Sequence, residues 1–146
     1  MRVLNISHEI IQILKESGYK LTRQRKVIID TLANNSRPVT AQEIFLQVRE
    51  HLPSISQDTL YRNLEVLAFV SVANRIRVRG GDRFELAEKH HHHFICIKCG
   101  DVKCLKGCPI GPQQLSEANR NNLEVLYHNF ELSGYCEKCS HKRREG

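Results

Sequence analysis

The 146-residue chain has no apolar run approaching the roughly 20 residues that a helix needs to cross a bilayer. Its first residues, Met1-Arg2, do not open a signal peptide. It also lacks the composition of a disordered chain, because 40% of its residues are apolar and 26% are charged. We therefore expect a folded cytoplasmic protein that has no contact with a membrane.

The chain also lacks a strong excess of charge of either sign. It carries 22 Lys and Arg residues against 16 Asp and Glu residues, which gives a formal net charge of +6. A mild basic excess suits a polyanionic partner such as DNA, but it is equally common in proteins that have no such partner. Charge alone therefore decides little about function.

Helical spacing and capping residues predict four short helices in the first half of the chain. Thr40 and Glu43 have the capping-box pattern, in which two side chains satisfy N–H groups at a helix start. Ser56 can cap the fourth helix. Leu60 and Leu64 of that helix share a narrow arc that must face a core, with Leu67 beside them.

A β-hairpin should follow these helices. The stretch 70–78 is rich in β-branched residues, Gly80-Gly81 supplies a turn, and 83–86 can return as a second strand. Several short helices followed by a hairpin are typical of a winged helix. We thus predict an α+β chain with a winged helix-turn-helix domain at 1–88.

Residues 89–146 should form a small α/β domain. A short strand is expected over 90–102, a helix over 113–122 and a strand over 124–132, with a frayed polar tail from His141. Two units of this size have marginal cores. A metal or an oligomer interface would stabilise them.

Four of the six cysteines form two Cys-x-x-Cys pairs, Cys96/Cys99 and Cys136/Cys139. Two residues between thiolates let one turn present both sulfurs to one ion, and two such turns complete a tetrahedron. The pattern predicts a closed structural zinc site. The alternative is a pair of redox-active dithiols. A zinc hydrolase would need an open metal position and a general base, which four cysteines do not provide.

A run of four histidines lies immediately before the first cysteine pair. Successive side chains of a strand point to opposite faces. His91 and His93 should therefore face one side, and His90 and His92 the other. One segment could thus serve two metal sites, although a polar, solvated strand end is the alternative.

Other side chains could complete these sites, namely Glu85, Cys104, Cys108 and His128. Each also has a simpler interpretation. A single cysteine is usually a small buried apolar residue, and Glu85 could be an ordinary surface carboxylate. Our preferred regulatory set is Glu85, His91, His93 and Cys104. His128 could join His90 and His92 at an additional site.

The fourth helix is the candidate DNA reader. Tyr61 and Arg62 lie on its outer face, and arginine in the major groove can bond a guanine through two hydrogen bonds. Thr59 and Arg23 could bind phosphates, as could arginines near the hairpin tip. The alternative is an ordinary solvated helix face.

Together these residues resemble the ferric uptake regulator superfamily, over nearly the whole chain and in order. The motifs that carry the resemblance are Leu21-Thr22-Arg23-Gln24-Arg25, Thr40-Ala41-Gln42-Glu43-Ile44, Asp58-Thr59-Leu60-Tyr61-Arg62-Asn63-Leu64, Phe84-Glu85-Leu86, the stretch 90–100 and Gly134-Tyr135-Cys136-Glu137-Lys138-Cys139. The resemblance implies a homodimer that binds palindromic operators on double-stranded DNA when it is loaded with metal. It also implies that residues 89–146 are the dimerisation domain.

Within the superfamily, the stretch 99–109 is most similar to zinc uptake regulators. Iron and peroxide sensors close their site with a histidine from the DNA-binding domain, but the stretch 36–39 here has none. Cys104 stands where iron sensors place a carboxylate, and a thiolate favours zinc over iron(II). Three features depart from the family pattern: the hinge 86–89 lacks a cysteine, Phe69-Val70-Ser71 lacks the usual glycine, and the carboxylate of the second histidine site has no clear match near Gly111-Pro112.

We therefore expect a zinc-responsive repressor whose structural zinc is permanent and whose regulatory zinc is the signal. Binding of that ion between Glu85 and the histidines would fix the angle between the two domains. Iron(II) or manganese as the regulatory ion, and a peroxide-sensing repressor, remain alternatives. From another class, a zinc-binding interaction or buffering module without DNA binding is also open.

Overall fold

The structure is a computed structural model, and it describes residues 7–87, 91–125 and 128–144. It divides the chain into two compact units, Met1–Glu88 and Lys89–Gly146. Among the described residues, no helix is both long and apolar enough to span a bilayer.

The described part of the first unit contains four helices, and each begins at a hydroxyl side chain that accepts a backbone N–H. The helices are α1 (His8–Glu16), α2 (Arg23–Asn34), α3 (Ala41–Val48) and α4 (Gln57–Phe69). Their N-caps are Ser7, Thr22, Thr40 and Ser56. The Glu43 carboxylate in turn accepts a hydrogen bond of 2.8 Å from the Thr40 N–H, which confirms the predicted capping box. Because each start is fixed by a local bond, the sequence located these helices well.

Three strands close the first unit. They are β1 (Val39–Thr40), β2 (Ala73–Ile76) and β3 (Arg83–Leu86), in the order β1-β3-β2 with antiparallel pairing. The predicted helical core is confirmed, since Leu60, Leu64 and Leu67 are all buried. The helices and the hairpin form the expected winged-helix arrangement.

The first hairpin strand is shorter than the predicted stretch 70–78. Helix α4 runs to Phe69, and Val70 caps it. Ser71 then takes a left-handed conformation with φ 62, and the Val72 N–H bonds back to the Leu67 carbonyl at 2.9 Å. This is the geometry of a helix end that normally uses glycine. Ser71 therefore fills the place of the missing glycine at some cost in backbone strain.

Replacement of Ser71 by glycine should stabilise the first unit. The left-handed conformation costs an L-residue roughly 1–2 kcal/mol, of which glycine's greater unfolded-state entropy returns a part. We expect a net gain of about 0.5–1 kcal/mol, which should raise the thermal midpoint by a few degrees. The measurement is thermal unfolding of the full chain. Ser71→Ala is the matched control and should give no gain, and equal midpoints for the glycine and alanine variants would contradict the strain.

The second unit pairs a small sheet with two helices. Its elements are β4 (His92–Cys96), β5 (Val102–Leu105), α5 (Pro112–Arg120), β6 (Glu131–Gly134) and α6 (Glu137–Arg144). The strand order is β5-β4-β6, with β5 antiparallel and β6 parallel to β4. No residue of α5 is buried. The core of this unit is therefore small, and its stability depends on the cysteines at the ends of β4 and β6.

Two predictions for the second unit were wrong in position. The last strand does not run over 124–132. It lies at Glu131–Gly134, where parallel pairing with β4 places Gly134 opposite Cys96. Residues 141–144 of the predicted frayed tail belong to α6, which begins after Cys136 with the Ser140 N–H bonded to the Cys136 carbonyl at 2.8 Å. Long-range pairing and the second cysteine turn decide these elements, and local periodicity does not carry that information.

Candidate metal centres and nucleic-acid interface

The four cysteines of the two Cys-x-x-Cys pairs meet at one point. Their sulfur atoms all lie within 4.8 Å of one another, and the Cys99 and Cys136 sulfurs are 3.7 Å apart. Cys96 and Cys139 are buried, whereas Cys99 is exposed. All six cysteines lie in the described residues, and they form no disulfide. The arrangement is that of four sulfurs around a single point.

The backbone explains why the two turns meet. Cys96 ends β4, and its turn is closed by Gly100, whose N–H bonds to the Cys96 carbonyl at 2.9 Å. Gly100 has φ 75, which a residue without a Cβ adopts most easily. The Ile97 N–H donates to the Gly134 carbonyl at 2.8 Å. The β4–β6 pairing thus delivers the second cysteine turn beside the first.

The electrostatics of this cluster fit a divalent cation. Backbone N–H donation from Cys99 and Cys136 lowers the pKa of the Cys96 thiol to about 6. Burial, reinforced by the neighbouring sulfurs, raises the pKa of the Cys139 thiol to about 12. One thiolate thus forms readily, but the other is strongly suppressed unless a cation offsets the shared charge. Four sulfurs at tetrahedral reach match the ligand set of structural zinc.

A second cluster lies along one face of β4 and is built from His91, His93 and Cys104. Their ligand atoms lie within 4.8 Å of one another, and the two imidazole rings are 4.7 Å apart. His93 and Cys104 are direct partners in the antiparallel β4–β5 pair, so their side chains stand on the same face at close range. Strand alternation brings His91 to that face, as the sequence indicated.

Glu85 lies in β3 of the first unit. It is largely buried, and its carboxylate accepts a hydrogen bond of 3.1 Å from Asn74 Nδ2. Asn74 and Glu85 are direct cross-strand partners in β2 and β3. The carboxylate is therefore held in one orientation by its neighbour rather than being an ordinary surface group.

The other face of β4 carries a third cluster, formed by His92, Cys108 and His128. Sequence reasoning grouped His92 and His128 but did not place Cys108 with them. The Cys108 sulfur lies 3.1 Å from His128 Nε2. Twenty residues separate these two in the chain, so no spacing could have revealed the pair. His90, the remaining member of the predicted additional set, lies outside the described residues.

Helix α4 presents the predicted DNA-reading side chains. Tyr61 and Arg62 are exposed, while Leu60 and Leu64 on the opposite face are buried. Thr59 is half-buried in the first turn, where its hydroxyl oxygen accepts a bond of 2.9 Å from Ser56 Oγ. The Thr59 hydroxyl keeps its own hydrogen available as a donor.

The start of α2 lies beside this face of α4. A shallow cleft of about 240 Å³ is lined by Thr22, Gln24 and Arg25 from α2 and by Thr59, Arg62, Asn63 and Val66 from α4. Arg23 is exposed at the first position of α2. Arg25 and Arg62 therefore meet at this cleft, whereas Arg23 borders a neighbouring cleft with Gln24 and His51, and such a surface suits contact with phosphate groups.

The second unit exposes several large apolar side chains. They are Leu115 of α5, Leu123 and Val125 after it, and Leu132 of β6. Several exposed apolar side chains on one small domain favour an interaction surface.

Comparison with known proteins places the chain among metal-dependent regulators. The model of the ferric uptake regulator family matches residues 16–133. A ferric uptake regulation protein of Staphylococcus aureus is 37% identical over 135 residues, covering 91% of this chain and 97% of that protein.

Solved structures agree on the fold. The ferric uptake regulator of Helicobacter pylori aligns with a TM-score of 0.75 at 23% identity, covering 96% of this chain and 97% of that one. A peroxide stress regulator of Campylobacter jejuni aligns with a TM-score of 0.69 at 26% identity, covering 88% and 98%. Two of these three names refer to ferric uptake, and the third refers to peroxide stress.

Proposed function

The chain belongs to the ferric uptake regulator family of metal-responsive transcription regulators, and we propose that this member is a zinc-responsive repressor. It is a regulator and not an enzyme. In this proposal a homodimer binds palindromic operator DNA through the first unit, residues 1–88. The second unit, residues 89–146, binds metal and dimerises.

The observation that favours zinc is the thiol of Cys104 beside His91 and His93. Two imidazoles and a thiolate form a donor set that suits zinc, whereas iron(II) and manganese prefer oxygen ligands. The stretch 36–39, where iron sensors supply a histidine, has none. We propose Glu85 as the fourth ligand, because only five residues separate it from His91 in the chain. An ion shared by these residues would link metal binding to DNA binding.

The four-cysteine cluster is proposed to hold a permanent structural zinc. Its donors Cys96, Cys99, Cys136 and Cys139 leave no position for water. His90, His92 and His128 are proposed as ligands of an additional ion. The exposed apolar side chains of α5 and β6 support dimerisation through the second unit, because burial of such residues against a second copy would remove them from water.

An iron-responsive or peroxide-sensing repressor is the second candidate. The name of the S. aureus relative, at 37% identity, favours iron. The two candidates differ in the ion that raises DNA affinity, so DNA binding with zinc, iron(II) and manganese separates them. A zinc-binding module without DNA binding would show no duplex affinity with any of these ions.

Arg62 is proposed to read a base, and Arg23 a phosphate. Arg62→Ala should then cost about 1–3 kcal/mol of operator affinity and relax specificity at one base pair per half-site. Arg23→Ala should weaken binding to all sequences alike and lower the slope of affinity against salt. The measurement is a gel shift on selected and random duplexes over a series of salt concentrations.

Arg120→Ala is the charge-matched control, because it removes an exposed arginine from α5 of the second unit. It should change neither specificity nor the salt slope. Wild-type binding of both duplexes by Arg62→Ala would show that α4 is not the reading helix. Tyr61 and Thr59 can then be tested in the same way.

A further inference from the structure

The face of β4 that carries His92 holds chemistry distinct from the regulatory cluster. His92 alternates with His91 and His93 along the strand, so its side chain leaves on the opposite side of the sheet. His92 is 4% exposed, and its ring lies 5.3 Å from that of His128 and 5.5 Å from that of Phe130. The buried His92 imidazole thus packs against the Phe130 ring and lies beside the His128 imidazole.

Cys108 brings a sulfur to these two histidines. It follows β5 by three residues, after Gly107, whose φ of 90 turns the chain. The Cys108 sulfur is 3.1 Å from His128 Nε2, and the ligand atoms of Cys108, His92 and His128 all lie within 4.8 Å of one another. Three donors from three separate segments therefore converge on one point.

We propose that Cys108 is the thiolate ligand of a third metal site, completed by His92 and His128, and that this thiolate makes the site selective for zinc. The inference rests on the proposed function in one respect, the assignment of His92 and His128 to an additional ion. It adds the sulfur donor and the class of metal. A thiolate with two imidazoles binds zinc well and gives iron(II) and manganese little of the oxygen that they prefer.

The site also differs from the four-cysteine cluster in access. An open cleft of about 400 Å³ is bordered by His92, Cys108 and Phe130, and Cys108 itself is exposed. Among the described residues three donors converge here, with His90 as the proposed fourth, and the exposed Cys108 lies on this open cleft. An ion held beside an open cleft exchanges with solvent more readily than one enclosed by four cysteines. The third site should therefore fill and empty with zinc supply.

The test measures exchangeable zinc in the full-length protein with the regulatory cluster removed. His91→Ala/His93→Ala is stripped of exchangeable metal under mild chelation, with retention of the structural zinc confirmed by metal analysis. Zinc is then titrated against a chromophoric chelator. This background should bind one exchangeable zinc per subunit. Adding Cys108→Ser should weaken zinc binding by more than about 100-fold. A loss of about 100-fold is the most expected from removing a residue that only orients a metal ligand.

Ser116→Ala in the same background is the control, since it changes an exposed side chain of α5 that belongs to none of the three clusters, and it should leave the affinity unchanged. Cobalt(II) gives an independent signature. The background should show a thiolate-to-cobalt charge-transfer band on addition of one equivalent, and Cys108→Ser should lose it. Cys108→Asp should retain a site but bind manganese more tightly relative to zinc than the background does.

Two results would overturn the inference. One is a background that binds no exchangeable zinc, and the other is Cys108→Ser binding zinc as tightly as the background with the same cobalt spectrum. In the second case the contact between Cys108 and His128 is only a hydrogen bond. Neither result bears on zinc-dependent DNA binding by the wild type, so a failure of this site is distinguishable from a failure of the proposed repressor.

Discussion

Replacing Cys139 with serine is expected to unfold the second unit and to dissociate the dimer. Cys139 is buried and is one of four sulfurs around a single point. A structural zinc of this kind supplies about 10 kcal/mol or more of folding free energy, and α5 buries no residue that could compensate. Zinc content, sedimentation and circular dichroism of the full chain measure the loss.

Cys104→Ser is the control for this substitution, since its exposed thiol belongs to the second cluster. It should keep one structural zinc per subunit and remain a folded dimer. Cys96→Ser should reproduce the defect of Cys139→Ser. A soluble, dimeric Cys139→Ser protein with wild-type thermal stability would end the assignment of the four cysteines to a structural zinc.

The second large effect is expected from the double variant His91→Ala/His93→Ala. It should remain a folded dimer with its cysteine-bound zinc, but its DNA affinity should no longer rise when zinc is added. The reason is that both imidazoles of the proposed regulatory site are gone, while the four-cysteine cluster is untouched. Coupling of metal to DNA affinity is typically worth about 1–3 kcal/mol, or roughly 5- to 150-fold. Operator affinity with and without zinc measures it.

Cys104 offers a graded test of the same site. Cys104→Ser should weaken the zinc response, because a neutral hydroxyl is a poorer zinc ligand than a thiolate. Cys104→Asp should restore part of the response and shift it toward iron(II) or manganese. His8→Ala, in α1 of the first unit, is a control that should respond to zinc as wild type does. An unchanged zinc response in the double histidine variant would place sensing elsewhere.

Local rules in the sequence were enough for the first unit. Each of its helices starts at a capping hydroxyl side chain, and the spacing of Leu60, Leu64 and Leu67 predicts the buried face of α4. The exception was Ser71, which ends α4 in a left-handed conformation that serine seldom adopts. Capping and periodicity act within one turn of chain, so a sequence displays them directly.

The second unit was predicted less well because its order depends on contacts between distant segments. Two cysteine pairs with the right spacing identified the first cluster, and alternation along β4 identified His91 and His93. The position of β6 follows from pairing with β4 across more than thirty residues. Cys108 meets His128 only through the fold. Spacing along the sequence does not predict contacts of this kind between distant segments.

We propose that zinc is the ion that converts this protein into a DNA-binding repressor. The most direct measurement is the operator affinity of the wild-type dimer, on duplexes selected from a random pool, with equal activities of free zinc, iron(II) and manganese. Zinc should raise the affinity by roughly 5- to 150-fold, and the other two ions should raise it far less. A larger response to iron(II) than to zinc would contradict it.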